Sequence, residues 1–463
     1  IRDSFYSMRS SPPRCIIIGA GIAGISAAIA SVDAGFSPIV LEGKSYIGGR
    51  ARSFIDTTTG EILDNGQHVL MGCYQRMLSI ISRLGTEHSV LRQKSLQVVF
   101  RDTLGRVARF GPSLLPSSAG SLLSLIRLHH ISAVSKFRAA WMIAALERGY
   151  NPPAHFTVHD LLSHFRQPAD VLERFWEPFV LATLNADLHS ASARLLTEVL
   201  RRSILAGDEM SALVIPRIGL HAMIEPFPQW IAHHGGELRL REYVDTLCIE
   251  NSVCTGIRTR KGEFIPAEAV ICAVPARAAA AIGRDDNGGD WNSIPSILRH
   301  SSAIVSTYLW FDKQFMDEQL CAAIGTRTQW IFNRRKLGSA ADEVVNKYPG
   351  HLTLTTSAAD SVATQSPERI VEHSLRDLHA LLPASKSVRL LHAQVIKERH
   401  ATPLFTPDAD AVRPDAETCF TNVLRCGDWT QTGLPATLEG AAQSGVDAVH
   451  ALVAKRSRGT LTS

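Results

Sequence analysis

At 463 residues the chain is too long for one small core, so two domains, interleaved along the sequence, are expected. Hydrophobic residues make up 45% and charged residues 20%, the balance of a globular protein and not of a disordered one. The net charge of +4 is spread without a basic block, which argues against nucleic acid as a partner and leaves a mildly basic surface suited to anionic lipid.

Residues 1–11 read as a flexible leader, with Met8 as the expected start. The uncharged stretch Cys15–Val32 is broken by glycines and serines and reads as a strand and a helix, not as a signal peptide or a span. Arg14–Gly19 is a short β-branched run, the pattern of a buried strand. A helix of small residues follows and ends near Gly35, and a second strand, Ser37–Leu41, ends at Glu42. This is a β-α-β unit of the usual length. Its turn carries Gly19, Gly21 and Gly24 in GxGxxG spacing. The first glycine permits the tight turn, the second lets the backbone approach a pyrophosphate, and the third lets helix pack on strand. Glu42 sits where a carboxylate accepts ribose hydroxyls and repels a 2′-phosphate. Gly48-Gly49-Arg50 then supplies a second close-approach loop with a cation for phosphate, which shifts the expected cofactor from NAD to FAD.

Residues 113–150 and 155–209 carry helical patterns of Leu, Ile, Phe and Trp. Ser113–Leu146, punctuated by Arg127, Lys136 and Arg138, suits monotopic docking on a membrane as well as it suits a buried helix pair. Glu237–Glu250 alternates like one strand, Val253–Thr259 and Glu263–Ile265 follow as a hairpin, and Ala269–Val274 is another buried strand. Residues 300–400 mix strands (Ala303–Phe311, His351–Thr356, Ser387–Ile396) with a helix around Pro367–Leu382. Val423–Gly427 is a last strand, and a helix runs from about Thr437 to Val453. The third motif lies between them, at Gly427-Asp428-Trp429 and Ala436-Thr437-Leu438. A helix N-terminus there stabilises the negative charge of a reduced flavin.

The expected fold class is α/β: a Rossmann-like FAD-binding domain built from discontinuous segments (12–75, 210–290 and 415–455), with an interleaved α+β substrate-binding domain (76–209 and 291–414) and flexible termini (1–11 and 456–463). The expected cofactor-contacting residues are Gly19, Ala20, Gly21, Ile22, Ala23, Gly24, Glu42, Gly48, Gly49, Arg50, Gln67, His68, Val244, Gly427, Asp428, Ala436, Thr437 and Leu438. The eight cysteines form no CxxC pair, which points to a reduced protein without disulfides. His155 and His159 have helical spacing but no third ligand, so no metal site is expected.

The run IIIGAGIAGISAAIASVDAGFSPIVLEGKSYIGGRARS resembles the FAD-dependent amine oxidase and phytoene desaturase superfamily. Leu63–Gly72, Trp176–Phe179, Leu184-Asn185, Ala191–Ala193 and GDWTQTGLPATLEGAAQSG together resemble the hydroxysqualene dehydroxylases, also called squalene-associated FAD-dependent desaturases. The resemblance covers most of residues 14–453 and is thin across 300–410. Pro216-Arg217-Ile218-Gly219 departs from the glycine doublet frequent in the superfamily.

The resemblance implies an amine-oxidase-like fold, an FAD-dependent oxidoreductase, and hydroxysqualene, an apolar isoprenoid, as substrate. The cysteine usage points to a cytoplasmic protein, and a C30 substrate dissolved in membrane, with the Ser113–Leu146 run, points to a peripheral place on the inner face of the membrane. Loss of hydroxide from an allylic alcohol needs an acid, and the cation left behind needs hydride in a site closed to water. Asp64, His68 and Glu177 are the candidate proton donors. Three other readings stay open: a polyene desaturase running oxidatively, an amine oxidase, and a non-catalytic prenyl-binding protein like the Rab GDP-dissociation inhibitors.

Overall fold

The computed structural model of the chain describes residues 12–111, 132–282, 293–338 and 340–459. The leader, and the part of the membrane-docking run before Ser132, lie outside the described residues.

Cys15-Ile16-Ile17-Ile18 is apolar at every position, as a strand covered on both faces must be. It is the middle strand of a five-stranded parallel sheet, in the order Glu237–Leu240, Ser37–Glu42, Arg14–Ile18, Ala269–Cys272, Val423–Arg425. Three distant parts of the chain thus meet in one sheet. The run 237–250 is not one strand as its alternation suggests. The backbone turns at Arg241, which takes a left-handed φ of 57°. Arg241 N–H and Glu242 N–H then donate to the carbonyls of Lys44 and Glu42, both at 2.9 Å. That anchor sends Val244–Glu250 into a separate antiparallel sheet with Val253–Thr259 and Phe264–Pro266.

Two helices cover one face of the parallel sheet. Ile22–Asp33 crosses the C-terminal helix Leu438–Gly459 closely enough for Ser26 Oγ to donate to the Ala442 carbonyl at 2.6 Å. The C-terminal helix runs to Gly459, so residues 456–459 are helical and not part of a loose terminus. Helix Gln75–Arg83 buries Met77, Ile80 and Ile81 in this same core. The buried carboxylate of Glu439 accepts from Arg76 N–H and Met77 N–H, each at 2.9 Å, and so caps that helix. A domain boundary after residue 75 therefore falls too early: this helix packs with the nucleotide-type core and not with the substrate region.

The second core is built on a seven-stranded mixed sheet in the order Leu390–Pro403, Ser301–Phe311, Gly350–Thr356, Trp330–Asn333, Leu320–Ile324, Val98–Asp102, Val107–Phe110. Its long strand Ser301–Phe311 shows period-two chemistry. Leu309 and Phe311 face Leu378 and Leu381 of helix Pro367–Leu381, while Tyr308 and Trp310 face Leu63 of the hairpin Ser53–Ile55/Ile62–Asp64. Helices Ala133–Glu147, Val158–His164, Glu177–Leu184 and Ala193–Arg202 close the other side.

One buried ion holds the hairpin to the sheet. Glu61 Oε1 accepts from Arg335 Nη1 at 2.5 Å, while its Oε2 accepts from Trp310 Nε1 and lies 2.9 Å from His351 Nδ1. Burial alone raises a carboxyl, but His351, Arg335 and Trp310 outweigh it, and Glu61 is held below its ordinary value of 4.5. Its contribution is complete above that pH and is lost as the pH falls below it. Burial pushes His351 down from 6.5 to about 4, so the unfolded chain binds the proton more tightly between these values and stability falls through the same range. Glu61→Gln is expected to cost about 3–5 kcal/mol, because it strands Arg335. Thermal melts at pH 7, 5 and 4 should show a flatter acid dependence in the variant than in the wild type.

Candidate active site

A cavity of about 720 Å³ runs between the two cores. At one end it is lined by Gly19, Gly21, Glu42 and Gly48, and at the other by Phe100, Phe110, Phe175, Phe179 and Phe332. It is one continuous space, polar where the parallel sheet ends and apolar where the helices close over the large sheet.

The glycine loop has the shape a dinucleotide needs. Gly21 precedes helix Ile22–Asp33 in an extended conformation, and no side chain caps the helix. Its first N–H groups are left for an anion. A Cβ on Gly21 meets no protein atom within 4 Å, whereas one on Gly24 comes within 1.9 Å of the Gly19 carbonyl oxygen. One glycine keeps space open above the helix, and the other brings the helix onto the strand. Gly48 N–H donates to the Ala20 carbonyl at 2.8 Å, which lays the second glycine loop alongside the first. Glu42 accepts from Ala20 N–H at 2.9 Å and from Lys44 N–H at 2.8 Å. Both its oxygens keep acceptor capacity for hydroxyl groups.

Of the cofactor-contacting residues expected from sequence, Gly19, Gly21, Ile22, Ala23, Glu42, Gly48, Gly49, Arg50, Gln67, His68, Val244, Gly427, Asp428, Ala436, Thr437 and Leu438 line the cavity. Ala20 and Gly24 do not; they stand behind the wall, one bound to Glu42 and the other packed on Gly19. Arg50, the cation expected for phosphate, is ion-paired within the protein. Its Nη2 donates to Asp428 Oδ1 at 2.7 Å and its Nη1 to the Ala401 carbonyl at 3.1 Å, so the second and third motifs are joined by an ion pair. The remaining guanidinium N–H groups are the ones a phosphate can use. At the C-terminal helix, Thr437 Oγ1 accepts from Gly440 N–H at 3.1 Å, so one of the open N–H groups there is already capped.

The three candidate acids separate. Glu177 is exposed and is absent from the cavity wall, although Pro178, Phe179, Leu181 and Ala182 line it. Partial burial and then the charges of Glu173 and Asp187 raise its pKa, but on the outer face of the helix. Asp64 is 1% exposed and also off the wall. Its Oδ1 accepts from Ser53 Oγ at 2.6 Å and from Leu220 N–H at 2.8 Å, so it braces the turn after Pro216. His68 alone lies on the wall. Burial lowers its pKa against the opposing pull of the Gly66 carbonyl and Asp64. Its Nδ1 sits 2.8 Å from that carbonyl, which can only accept, so Nδ1 carries the proton and the neutral ring has none on Nε2.

Several wall residues carry no role in the sequence reading. Asn185 has a left-handed φ of 49° and ends helix Glu177–Leu184. It donates to Thr402 Oγ1 at 2.9 Å and to the Ser302 carbonyl at 3.3 Å, and it accepts from Ala358 N–H at 2.8 Å, so it ties three segments together around the cavity. Glu398 and Asn65, bonded at 3.1 Å, also face the cavity. Among the described residues no group of three His, Cys, Asp or Glu side chains is placed to hold a metal ion, and His159 stacks on His189 instead. The eight cysteines are free thiols.

The family model for flavin-containing amine oxidoreductases matches residues 22–453. The hydroxysqualene dehydroxylase of Sinorhizobium fredii is 30% identical over 441 residues, which cover 94% of this chain and 97% of that protein. The hydroxysqualene dehydroxylase of Rhodopseudomonas palustris is 28% identical, covering 95% and 98%. The 15-cis-phytoene desaturase of Synechococcus elongatus is 22% identical, covering 96% of each. Among solved structures, an oxidoreductase from Methanosarcina mazei superposes with a TM-score of 0.71 at 18% identity, covering 94% of this chain and all of that one. A putrescine oxidase variant gives 0.69 at 17% identity, covering 96% and 99%. At these identities the likeness is one of fold.

Gly21→Val is expected to give a folded protein without FAD, because the new side chain clears the protein and fills the space above the helix N-terminus. Full flavin content in the purified variant, read from its absorbance, contradicts this. Glu42→Ala should weaken FAD binding by about 1–3 kcal/mol, the range for charge-assisted hydrogen bonds, as measured by flavin titration of the apoprotein.

Proposed function

The chain belongs to the flavin-containing amine oxidoreductase family and is an FAD-dependent oxidoreductase, and on that premise we propose that it reductively removes the hydroxyl of hydroxysqualene to give squalene. The observation that carries this reading is the continuity of the dinucleotide-shaped end of the cavity with a long aromatic and aliphatic chamber. The names of the two hydroxysqualene dehydroxylases among its relatives support the substrate class.

The Gly19–Gly24 loop, Glu42 and the Gly48–Arg50 loop would hold FAD, whose reduced form would supply a hydride. The protein's own share of the work is binding and exclusion. Phe100, Phe110, Phe175, Phe179, Leu213 and Phe332 offer a C30 chain apolar contact and offer water none. Each buried CH₂ of such a chain contributes about 0.8 kcal/mol. A dry chamber also protects an allylic cation from recapture by water. The polar groups gather where chamber and nucleotide end meet: His68, Asn65, Asn185 and Glu398.

A substrate of this kind is dissolved in membrane, and an exposed apolar face on one helix supports peripheral contact with the inner face of the cytoplasmic membrane. Val134, Phe137 and Trp141 are 57%, 75% and 49% exposed on helix Ala133–Glu147. Their spacing of three and four places them on one face. No helix among the described residues is long and apolar enough to cross a membrane. Such a face supports contact with a lipid surface.

Photoreduced protein mixed anaerobically with hydroxysqualene should reoxidise as squalene appears, one flavin per product. Bleaching of the oxidised protein by squalene, with new double bonds in the product, points instead to a desaturase. Phe137→Glu should reduce sedimentation with anionic vesicles several-fold while flavin content and melting temperature stay unchanged. Sedimentation equal to wild type removes the helix from the lipid contact.

A further inference from the structure

Loss of hydroxide from carbon needs a proton, and the cavity wall offers few groups able to give one. Glu42, Lys44, Glu242, Tyr243 and Arg260 line the end around the glycine loop, and Glu242 pairs with Lys261. Asp428 is ion-paired with Arg50. Tyr74 is a phenol that burial raises further. His68 is neutral, with its one proton turned to the Gly66 carbonyl. The remaining carboxyl on the wall is Glu398, on strand Leu390–Pro403, opposite Ile304, which also lines the cavity.

Glu398 is held in place but not neutralised by an ion pair. Its Oε2 accepts from Asn65 Nδ2 at 3.1 Å. Asn65 is itself fixed, because its Oδ1 accepts from Arg52 N–H at 3.3 Å and its own N–H donates to the Arg52 carbonyl at 2.9 Å. The charged and titratable groups that act on Glu398 are Arg50, spoken for by Asp428, and His68, three residues after Asn65. On its own strand, Lys397 donates to the Gln365 carbonyl and Arg399 to the Ala363 carbonyl, away from the cavity. Glu398 Oε1 is left for a group inside the cavity.

We propose that Glu398 is the catalytic acid that protonates the departing hydroxyl, with Asn65 as the residue that positions it. This rests on the dehydroxylation reading. An apolar substrate filling the chamber excludes water from around the carboxyl. As the C–O bond breaks, the proton passes from Glu398 to the hydroxyl oxygen and water leaves. The allylic carbon takes the hydride that the reduced flavin brings, so substrate gains two electrons and the flavin loses two. Glu398 is left as a carboxylate, stabilised by the Asn65 N–H, and regains its proton from solvent after product release.

The test uses the flavin-loaded full chain and Glu398→Gln, which keeps the acceptor for Asn65 and therefore the fold. Single-turnover reoxidation by hydroxysqualene should slow by about 100-fold or more, the usual worth of a general acid, with KM within a few-fold. The wild-type rate should fall as pH rises, and the variant should lack that limb. Glu398→Asp should recover part of the rate. Independently of turnover, adding squalene to the oxidised protein should produce the infrared C=O band of a protonated carboxyl, absent in Glu398→Gln. A wild-type rate that rises with pH, or a variant as fast as wild type, overturns the assignment and leaves the dehydroxylation reading standing. A wild-type protein that leaves hydroxysqualene untouched overturns both.

Discussion

The site depends on a single residue, Ala20, and the two peptide units that flank it. Ala20 N–H donates to the Glu42 carboxylate, and the Ala20 carbonyl accepts from Gly48 N–H. These two bonds set three loops in register: the turn after the first strand, the end of the second strand, and the glycine pair beyond it. Arg50, two residues on from Gly48, then reaches Asp428 and brings in the loop after the last strand of the sheet. Segments more than 370 residues apart in sequence thus share one hydrogen-bonded rim. On this rim the N-terminus of helix Ile22–Asp33 carries no side-chain cap, and that is where an anion gains most.

The chamber at the other end follows a different rule. Its walls are side chains, not backbone, and they come from a sheet and from helices whose cores lie behind them. Polar groups on those walls are tied to structure. Asn185 spends its amide on Ser302, Thr402 and Ala358, and so fixes the helix that carries Phe179 to the strands that carry Ile304 and Glu398. Trp176 Nε1 donates to Gln167, so the indole beside the chamber lining has its polar atom satisfied away from it. The chamber can therefore be lined by apolar carbon while the buried amides behind it remain paired.

The parts legible from sequence were those in which backbone geometry demands a residue type. Gly21 and Gly24 are required by space and by close approach, and β-branched runs mark the buried strands. What stayed illegible depends on which way a side chain turns. Glu177 looks buried between Trp176 and Pro178, yet Glu173, four residues before it, shares its helix face and is exposed. That spacing was the signal that the face is an outer one. Glu398 lies in the charged run Lys397-Glu398-Arg399-His400, which reads as a solvated edge. Only the pairing of its strand with Ser301–Phe311 and the reach of Asn65 put it on the cavity wall. The break at Arg241 was hidden because alternation continues through it, whereas the left-handed turn is imposed by the carbonyls of Glu42 and Lys44. Helix Gln75–Arg83 was assigned to the wrong core because its cap, Glu439, lies at the far end of the chain.

The charge pattern at the junction of the two ends bears on the proposed dehydroxylation, which passes through a cation. Arg50 is balanced by Asp428, and burial keeps His68 uncharged although Asp64 pulls the other way. A second positive charge there, on an imidazolium, would raise the energy of a developing allylic cation in a medium where such repulsion is poorly screened. The Gly66 carbonyl fixes the His68 tautomer with the proton turned away from Nε2, so the ring presents a lone pair and not a charge. The polar junction is thereby close to neutral before a proton is moved. In the proposed dehydroxylation, the one proton delivered there, from Glu398, would leave an anion in place of a neutral acid at the moment carbon becomes positive, so the same transfer that releases water would also supply the counter-charge.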